Sequence, residues 1–211
     1  MEQPNTPAAI PRQTLTRLPR YLNYLHGLDP VPEYISATAI ADDMGLGNVQ
    51  VRKDLACVAS GGKPKRGYKT TELIACLENF LGCSDTVSAV IVGAGKIGRA
   101  LLTYERFEEL GLHVIAAFDE NLDAAAEEDG KPIFPIEKLE DLCRRLNVHI
   151  GIITTSAGNA QNACDRLIAG GVRAVWNFAP VHLKVPDDII LQNEDLASSL
   201  LLLSRRLSTV L

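Results

Sequence analysis

Residues 87–102 read VSAVIVGAGKIGRALL, and the fold turns on this stretch. The run from Val87 to Val92 is apolar and short, which predicts a strand. Glycines at 93, 95 and 98 follow in a G-x-G-x-x-G pattern, and helical spacing resumes after them. Alone the pattern is weak; between a strand and a helix it has the context of a dinucleotide site. Gly93 allows the tight turn, Gly95 lets a pyrophosphate approach the backbone, and Gly98 lets helix and strand pack closely. Ala94, Lys96 and Ile97 complete the loop and are candidate contacts with it. The next apolar run, HVIAAFD, ends in Asp119, twenty-one residues after Gly98. An acid there receives the two ribose hydroxyls of NAD+ or NADH and repels the 2'-phosphate of NADP.

Downstream, strands and helices alternate. GRALLTYERFEELG reads as a helix, IEKLEDLCRRLN as a helix, HIGIITT as a strand, GNAQNACDRLIAGG as a helix, RAVWNFA as a strand and DDIILQNED as a further strand. This order predicts a parallel sheet covered on both faces, a Rossmann-like doubly wound domain over residues 83–192. Ligands of such sheets lie beyond the carboxyl ends of the strands. Thr154, Thr155 and Ser156 end one strand, where hydroxyls reach toward a pyrophosphate. Asn177 and Phe178 end another, where the ring can pack on a ligand ring. No acid–base grouping accompanies them: His26, His113 and His149 fall elsewhere, and His182 alone could approach the crevice. The chain is also too short to add a substrate domain. The nucleotide therefore reads as a signal rather than a reagent, and no catalytic residue is expected.

Residues 1–82 have a different texture. After an N-terminal tail, Leu15, Leu18, Leu22 and Leu25 predict a first helix, with Pro19 inside it. SATAIADDMGLG predicts a second helix, capped by Ser36 and ended at Gly45. NVQVRKDLACVAS predicts a third, capped by Asn48, with Val51, Leu55 and Val58 on its inner face. Ala41 and Gly45 give the small residue and the permissive turn that a helix-turn-helix needs. Val49, Gln50, Lys53, Ala56 and Cys57 then point outward, with Arg52 at the margin. Gln suits adenine, and Arg or Lys suits guanine, in a major groove. GGKPKRGYKT predicts the tip of a hairpin, where Lys63, Lys65 and Arg66 would lie on a phosphate backbone or in a minor groove. Leu73, Ile74, Leu77 and Leu81 mark a fourth helix. Helices plus hairpin make a winged helix.

Bulk properties fit both readings. The chain has 211 residues, 46% of them hydrophobic and 22% charged, and a net charge of -5. Residues 1–80 carry nine Lys/Arg against eight Asp/Glu, whereas residues 81–211 carry twelve against eighteen. Within residues 48–69, six basic residues meet Asp54 alone, a local patch able to face phosphates. Five cysteines without a CxxC spacing argue for a reducing, cytoplasmic setting and against a zinc site or other metal. No apolar run is long enough for a membrane span, and the N-terminus lacks signal-peptide character.

These residues resemble the Rex family of bacterial redox-sensing transcriptional repressors, from about Ile10 onward. QVRKDL at 50–55 is similar to the family's recognition helix, and GAGKIGRAL with AFDEN to its NAD(H) fingerprint. NFAP at 177–180 and NEDLASSL at 193–200 match its C-terminal segments. The resemblance implies a homodimer on a pseudo-palindromic operator, released when NADH binds, with a swapped C-terminal helix over residues 193–211. It places Tyr104 near the nicotinamide and Asp195 as an acid from the partner subunit. The chain departs from the family at TTS (154–156), where a more apolar stretch is expected, and at Leu196, where some members carry phenylalanine. Independently, LASSLLLLSRRL is apolar nearly all round and must be covered. An NAD-dependent dehydrogenase with a helical oligomerisation domain is the alternative; a nucleotide-binding scaffold that recruits a protein is another.

Overall fold

A computed structural model gives the structure of residues 10–63, 66–83, 86–122 and 125–208. The predicted tail and Lys65 lie outside the described residues. The chain divides into two units, Met1–Asp85 and Thr86–Leu211.

In the first unit, α1 (Arg12–His26) buries Thr14, Leu18, Tyr21, Leu22 and Leu25, one stripe at helical spacing, and runs through Pro19 on its exposed side. A short strand, β1 (Tyr34–Ile35), leads into α2 (Ala37–Asp43), whose first turn is capped by the Ser36 hydroxyl accepting from Ala39 N at 3.0 Å. After the turn at Gly45 comes α3 (Asn48–Ala56), with Val51 and Leu55 fully buried. β2 (Tyr68–Lys69) pairs antiparallel with β1, and α4 (Thr70–Leu81) closes the unit with Leu73 and Leu77 inward. The described flanks of the basic loop pair across it: the backbones of Lys63 and Gly67 bond both ways, at 2.8 and 2.9 Å. Beyond that bridge, however, β2 finds its partner in β1, about thirty residues upstream in the register Ile35–Tyr68.

The second unit is a seven-stranded sheet ordered β5-β6-β4-β3-β7-β8-β9. These are β3 (Val87–Val92), β4 (Leu112–Asp119), β5 (Ala126–Glu128), β6 (Lys131–Pro135), β7 (Ile150–Ile153), β8 (Ala174–Asn177) and β9 (Ile190–Asn193). All neighbours are parallel except β5 and β6. The chain steps from β3 to β4 and β6 on one side, then returns to β7 on the other, so the crevice lies at the carboxyl end of β3. Val90 and Val92 face a core with Phe118, Leu139, Cys164 and Leu167. Ala89 and Ile91 face a second core with Leu102, Ala117 and Ile133. α7 (Leu139–Arg145) and α8 (Ala157–Ala169) cover the first face.

Two expectations need correction. The helix predicted from residue 98 to 111 is two: α5 (Lys96–Leu102) and α6 (Arg106–Glu109). The Thr103 hydroxyl turns back to the Arg99 carbonyl at the break, and Phe107 comes to 6.2 Å from the Trp176 ring. The β5–β6 hairpin was not predicted at all; it joins the sheet because Ile133 pairs with Ala117 and is fully buried. The last helix, α9 (Leu196–Leu207), has no buried residue within the chain.

Candidate nucleotide cleft and DNA-reading face

A cleft of about 230 Å³ opens at the carboxyl ends of β3, β4 and β7. Gly93 and Gly95 form one wall, Asp119 to Asn121 a second, and Thr154 to Ser156 with Asn159 a third. The glycine loop is drawn tight by its neighbours. Gly93, at φ +104°, donates to the Phe118 carbonyl at 2.7 Å, and its own carbonyl accepts from the Thr154 hydroxyl at 2.7 Å. A Cβ on Gly98 would fall 1.9 Å from that carbonyl oxygen, so helix α5 can approach the strand only without a side chain there. Gly95 differs: a Cβ on it would meet nothing within 4 Å. The protein does not itself fill the space beside Gly95, which is where a pyrophosphate would approach. Asp119 faces the loop, with Oδ2 accepting from Ala94 N at 2.7 Å and Oδ1 from Asn121 N at 2.8 Å. Oδ1 also accepts from the Asn121 side-chain amide at 3.3 Å, so the lone pair left for a ribose hydroxyl is on Oδ2.

The cleft thus brings together Gly93, Gly95, Asp119, Thr154 and Thr155. Ala94 is buried beside them, and Lys96 and Ile97 stand exposed on the first turn of α5. Sequence reasoning missed Glu120 and Asn159, which bond across the cleft at 2.7 Å. Adjacency to Asp119 and a place in the first turn of α8 were the available signals.

Eight predicted contacts lie outside this lining: Ala94, Lys96, Ile97 and Gly98 of the glycine loop and first helical turn, and Asn177, Phe178, Tyr104 and Asp195. Asn177 is fully buried and its amide is spent within the chain. It donates to Val181 O at 3.0 Å and Asn193 Oδ1 at 2.9 Å, and accepts from Ala179 N at 3.0 Å. Phe178 ends a row of rings: 4.5 Å to Trp176, then 6.2 Å to Phe107, then 5.0 Å to the exposed Tyr104. Asp195 caps α9, accepting from Ser198 N at 2.8 Å. Hydrogen bonds from the Ser198 side chain and backbone hold its carboxyl below the usual range. His182 is exposed and absent from the cleft wall.

In the first unit, α3 presents Val49, Arg52, Lys53, Ala56 and Cys57 outward, with Gln50 half-buried. Asn48 is not the cap: extended Gly47 takes that position, and Asn48 is the first helical residue. The Asn48 amide instead donates to the Thr38 hydroxyl at 2.7 Å, tying the start of α3 to α2. Arg52 and Lys63 line one cleft with Ser36 and Thr38, so third helix and wing share a positively charged recess. The Arg66 guanidinium lies 3.8 Å from the centre of the Tyr34 ring, a cation–π contact that orients it.

The lone acid of the basic segment is buried. Asp54 accepts from Thr14 at 2.8 Å, Tyr21 at 2.8 Å and Arg17 at 2.7 and 2.8 Å. Burial pushes its pKa up, but those donors together outweigh it and hold the carboxyl below its ordinary value. The Tyr21 hydroxyl, buried beside the carboxylate, is pushed up to about 12. Nothing in the local sequence marks Asp54 as the support of α3 on α1.

A winged helix-turn-helix followed in one chain by a dinucleotide-type sheet defines a transcriptional regulator with a nucleotide-binding unit. Residues 9–56 match the family model "Putative DNA-binding protein N-terminus", and residues 84–181 match the CoA binding domain model. The redox-sensing transcriptional repressor Rex of Treponema denticola is 37% identical over 99% of both chains. The Rex of Syntrophomonas wolfei is 40% identical over 92% of this chain and 94% of its own. The chain belongs to the Rex family of redox-sensing transcriptional repressors. Its structure is also similar to that of RSP in complex with beta-NAD+ and operator DNA, with a TM-score of 0.88 and 36% identity over 96% of this chain and 94% of RSP. A second structure of RSP, in complex with beta-NADH, gives 0.86.

Proposed function

We propose that the protein is a homodimeric, cytoplasmic repressor that holds operator DNA when NADH is scarce and releases it when NADH binds. The observation that carries this reading is the match along nearly the whole chain to RSP, a protein solved with operator DNA and beta-NAD+ and with beta-NADH. The residues here fit both ligands. Gly93 and Gly95 would admit the pyrophosphate, Gly98 would let α5 pack close behind it, Asp119 would take the ribose hydroxyls, and Thr154 and Thr155 would flank the phosphates. Ala94, Lys96 and Ile97 surround the loop. Phe178, Tyr104 and, from the partner, a second copy of Asp195 would define the nicotinamide end, with Asn177 fixing the strand end behind them. Glu120 adds a second negative charge beside Asp119, which further disfavours a 2'-phosphate.

On the other unit, Gln50, Arg52 and Lys53 would read the major groove. Asn48, Lys63, Lys65 and Arg66 would face backbone or minor groove. Dimer symmetry then sets half-sites a whole number of helical turns apart, each about 34–36 Å. The ligand stays chemically intact: the protein acts as a regulator, not an enzyme. NADH must prefer the arrangement that cannot hold DNA, because a ligand without preference shifts nothing.

A gel-shift titration on a palindromic duplex from a promoter, with NAD+ and with NADH, tests the reading. NADH is expected to weaken DNA binding by roughly 5–150-fold, a coupling of about 1–3 kcal/mol. By reciprocity the operator must weaken NADH binding equally. Equal NADH affinity with and without operator would overturn it.

A further inference from the structure

The glycine loop leaves one backbone group unspent. Gly93 N donates to Phe118 O at 2.7 Å, and Gly93 O accepts from the Thr154 hydroxyl at 2.7 Å. Ala94 N donates to Asp119 Oδ2 at 2.7 Å. The Ala94 carbonyl accepts from Nε of Arg99 at 2.9 Å, and the Gly95 carbonyl from the Arg99 backbone N–H at 2.9 Å. From Gly93 N to Gly95 O, only the Gly95 N–H has no partner among the described residues. Gly95 stands exposed on the wall of the nucleotide cleft.

The peptide between Ala94 and Gly95 is planar, with its C=O and N–H pointing opposite ways. Holding the carbonyl on one side therefore aims the N–H on the other. The preceding peptide, Gly93–Ala94, is gripped at both ends, by Thr154 and by Asp119. The Ala94–Gly95 peptide is gripped at its carbonyl alone, by Arg99. It borders a glycine, whose freedom in φ lets the plane turn over. Turned over, it would show the cleft an oxygen, which repels a phosphate, in place of an N–H, which binds one. Glu128, on β5, accepts from Nη1 of the same guanidinium, so the β5–β6 hairpin steadies the arginine that steadies the loop. We propose that Arg99 is a positioning residue for the dinucleotide: through the Ala94 carbonyl it aims the Gly95 N–H at the pyrophosphate. The inference rests on the nucleotide reading above. Arg99 acts on the phosphate through a peptide plane, not through its charge.

Titration of the full chain with NADH, ADP-ribose and adenosine provides the test, in the wild type and in Arg99→Met and Arg99→Gln. ADP-ribose carries the pyrophosphate; adenosine lacks it but offers Asp119 the same ribose hydroxyls. Methionine keeps the reach of the side chain and removes the donor. Glutamine carries its amide nitrogen at the same place along the side chain as Nε, so it keeps the donor and removes the charge. Arg99→Met is expected to weaken NADH and ADP-ribose binding by about tenfold, the worth of a hydrogen bond to a charged group, and adenosine binding by less than about twofold. Arg99→Gln is expected to stay within about threefold of the wild type for all three ligands. Equal losses of ADP-ribose affinity in the two variants would trace the effect to the charge and overturn the proposal. So would an Arg99→Met protein that binds ADP-ribose as the wild type does, or that loses adenosine equally.

Should Arg99→Met fail to fold, the backbone amide resonance of Gly95 in the wild type decides. Its proton is expected to move downfield on saturation with ADP-ribose and to stay in place with adenosine; a proton that ignores ADP-ribose refutes the contact. A wild type that binds none of the three ligands overturns the nucleotide reading and this proposal with it. A wild type that binds all three, with Arg99→Met unchanged, overturns the proposal alone.

Discussion

Asp54 shows how one side chain reverses the reading of a segment. In sequence it interrupts a basic run; in structure it is 3% exposed and anchors Arg17, Tyr21 and Thr14 of α1. Asp54→Asn would strand the Arg17 charge, and the expected loss is about 3 kcal/mol in urea unfolding at neutral pH. The pH dependence follows from a depressed folded-state pKa. The contribution is complete above the unfolded value of about 3.9. It is lost as pH falls through the lower folded value. The wild-type melting temperature should drop below about pH 4, and Asp54→Asn should lack that acid limb. At the same scale, Gly98→Ala places a methyl against the Gly93 carbonyl. It should cost about 3 kcal/mol and abolish NADH binding, read by thermal melts and fluorescence titration. The contrast between the two residues shows what was legible. The glycine spacing is a local constraint, visible in six residues. The partners of Asp54 lie 33 to 40 positions away, and no local pattern points to them.

Elements were legible where a periodicity ran long enough to declare itself. The helices α1, α4 and α8 and the strands β3, β4 and β7 all carry clear apolar patterns, and their type was correct. The missed hairpin is short and charged, with one inward residue of weight, Ile133. Its signal was the Asp129–Gly130 pair, both at positive φ, a turn chemistry favoured between paired strands. The break between α5 and α6 left no mark, because the apolar spacing continues through it. The wing was legible from charge and glycine content, but its partner strand was not, since two-residue strands have no period. Here Arg66→Ala should weaken binding of all duplexes alike and reduce the slope of log affinity against log salt by about one. A filter-binding series across salt concentrations would show it, and a change confined to one base position would contradict the phosphate role.

For the molecule as a whole, the decisive surface is α9. Leu196, Leu200, Leu201, Leu202, Leu203 and Leu207 are each more than half exposed within one chain. The need for cover is legible in the apolar pattern; what provides it is legible only through the family resemblance, because a single chain does not encode its neighbour in any period. Replacing Leu200 and Leu203 with Asp is expected to halve the mass seen in sedimentation while leaving the sheet folded, as judged by circular dichroism. The same stretch of chain makes one more connection. The Asn177 amide holds Asn193, on the strand that leads into α9, against the turn that follows Phe178. The rope that ties the leucine stripe to its own molecule is therefore knotted at the strand end bearing an aromatic ring, and a tug on one end reaches the other through three hydrogen bonds rather than through a loop.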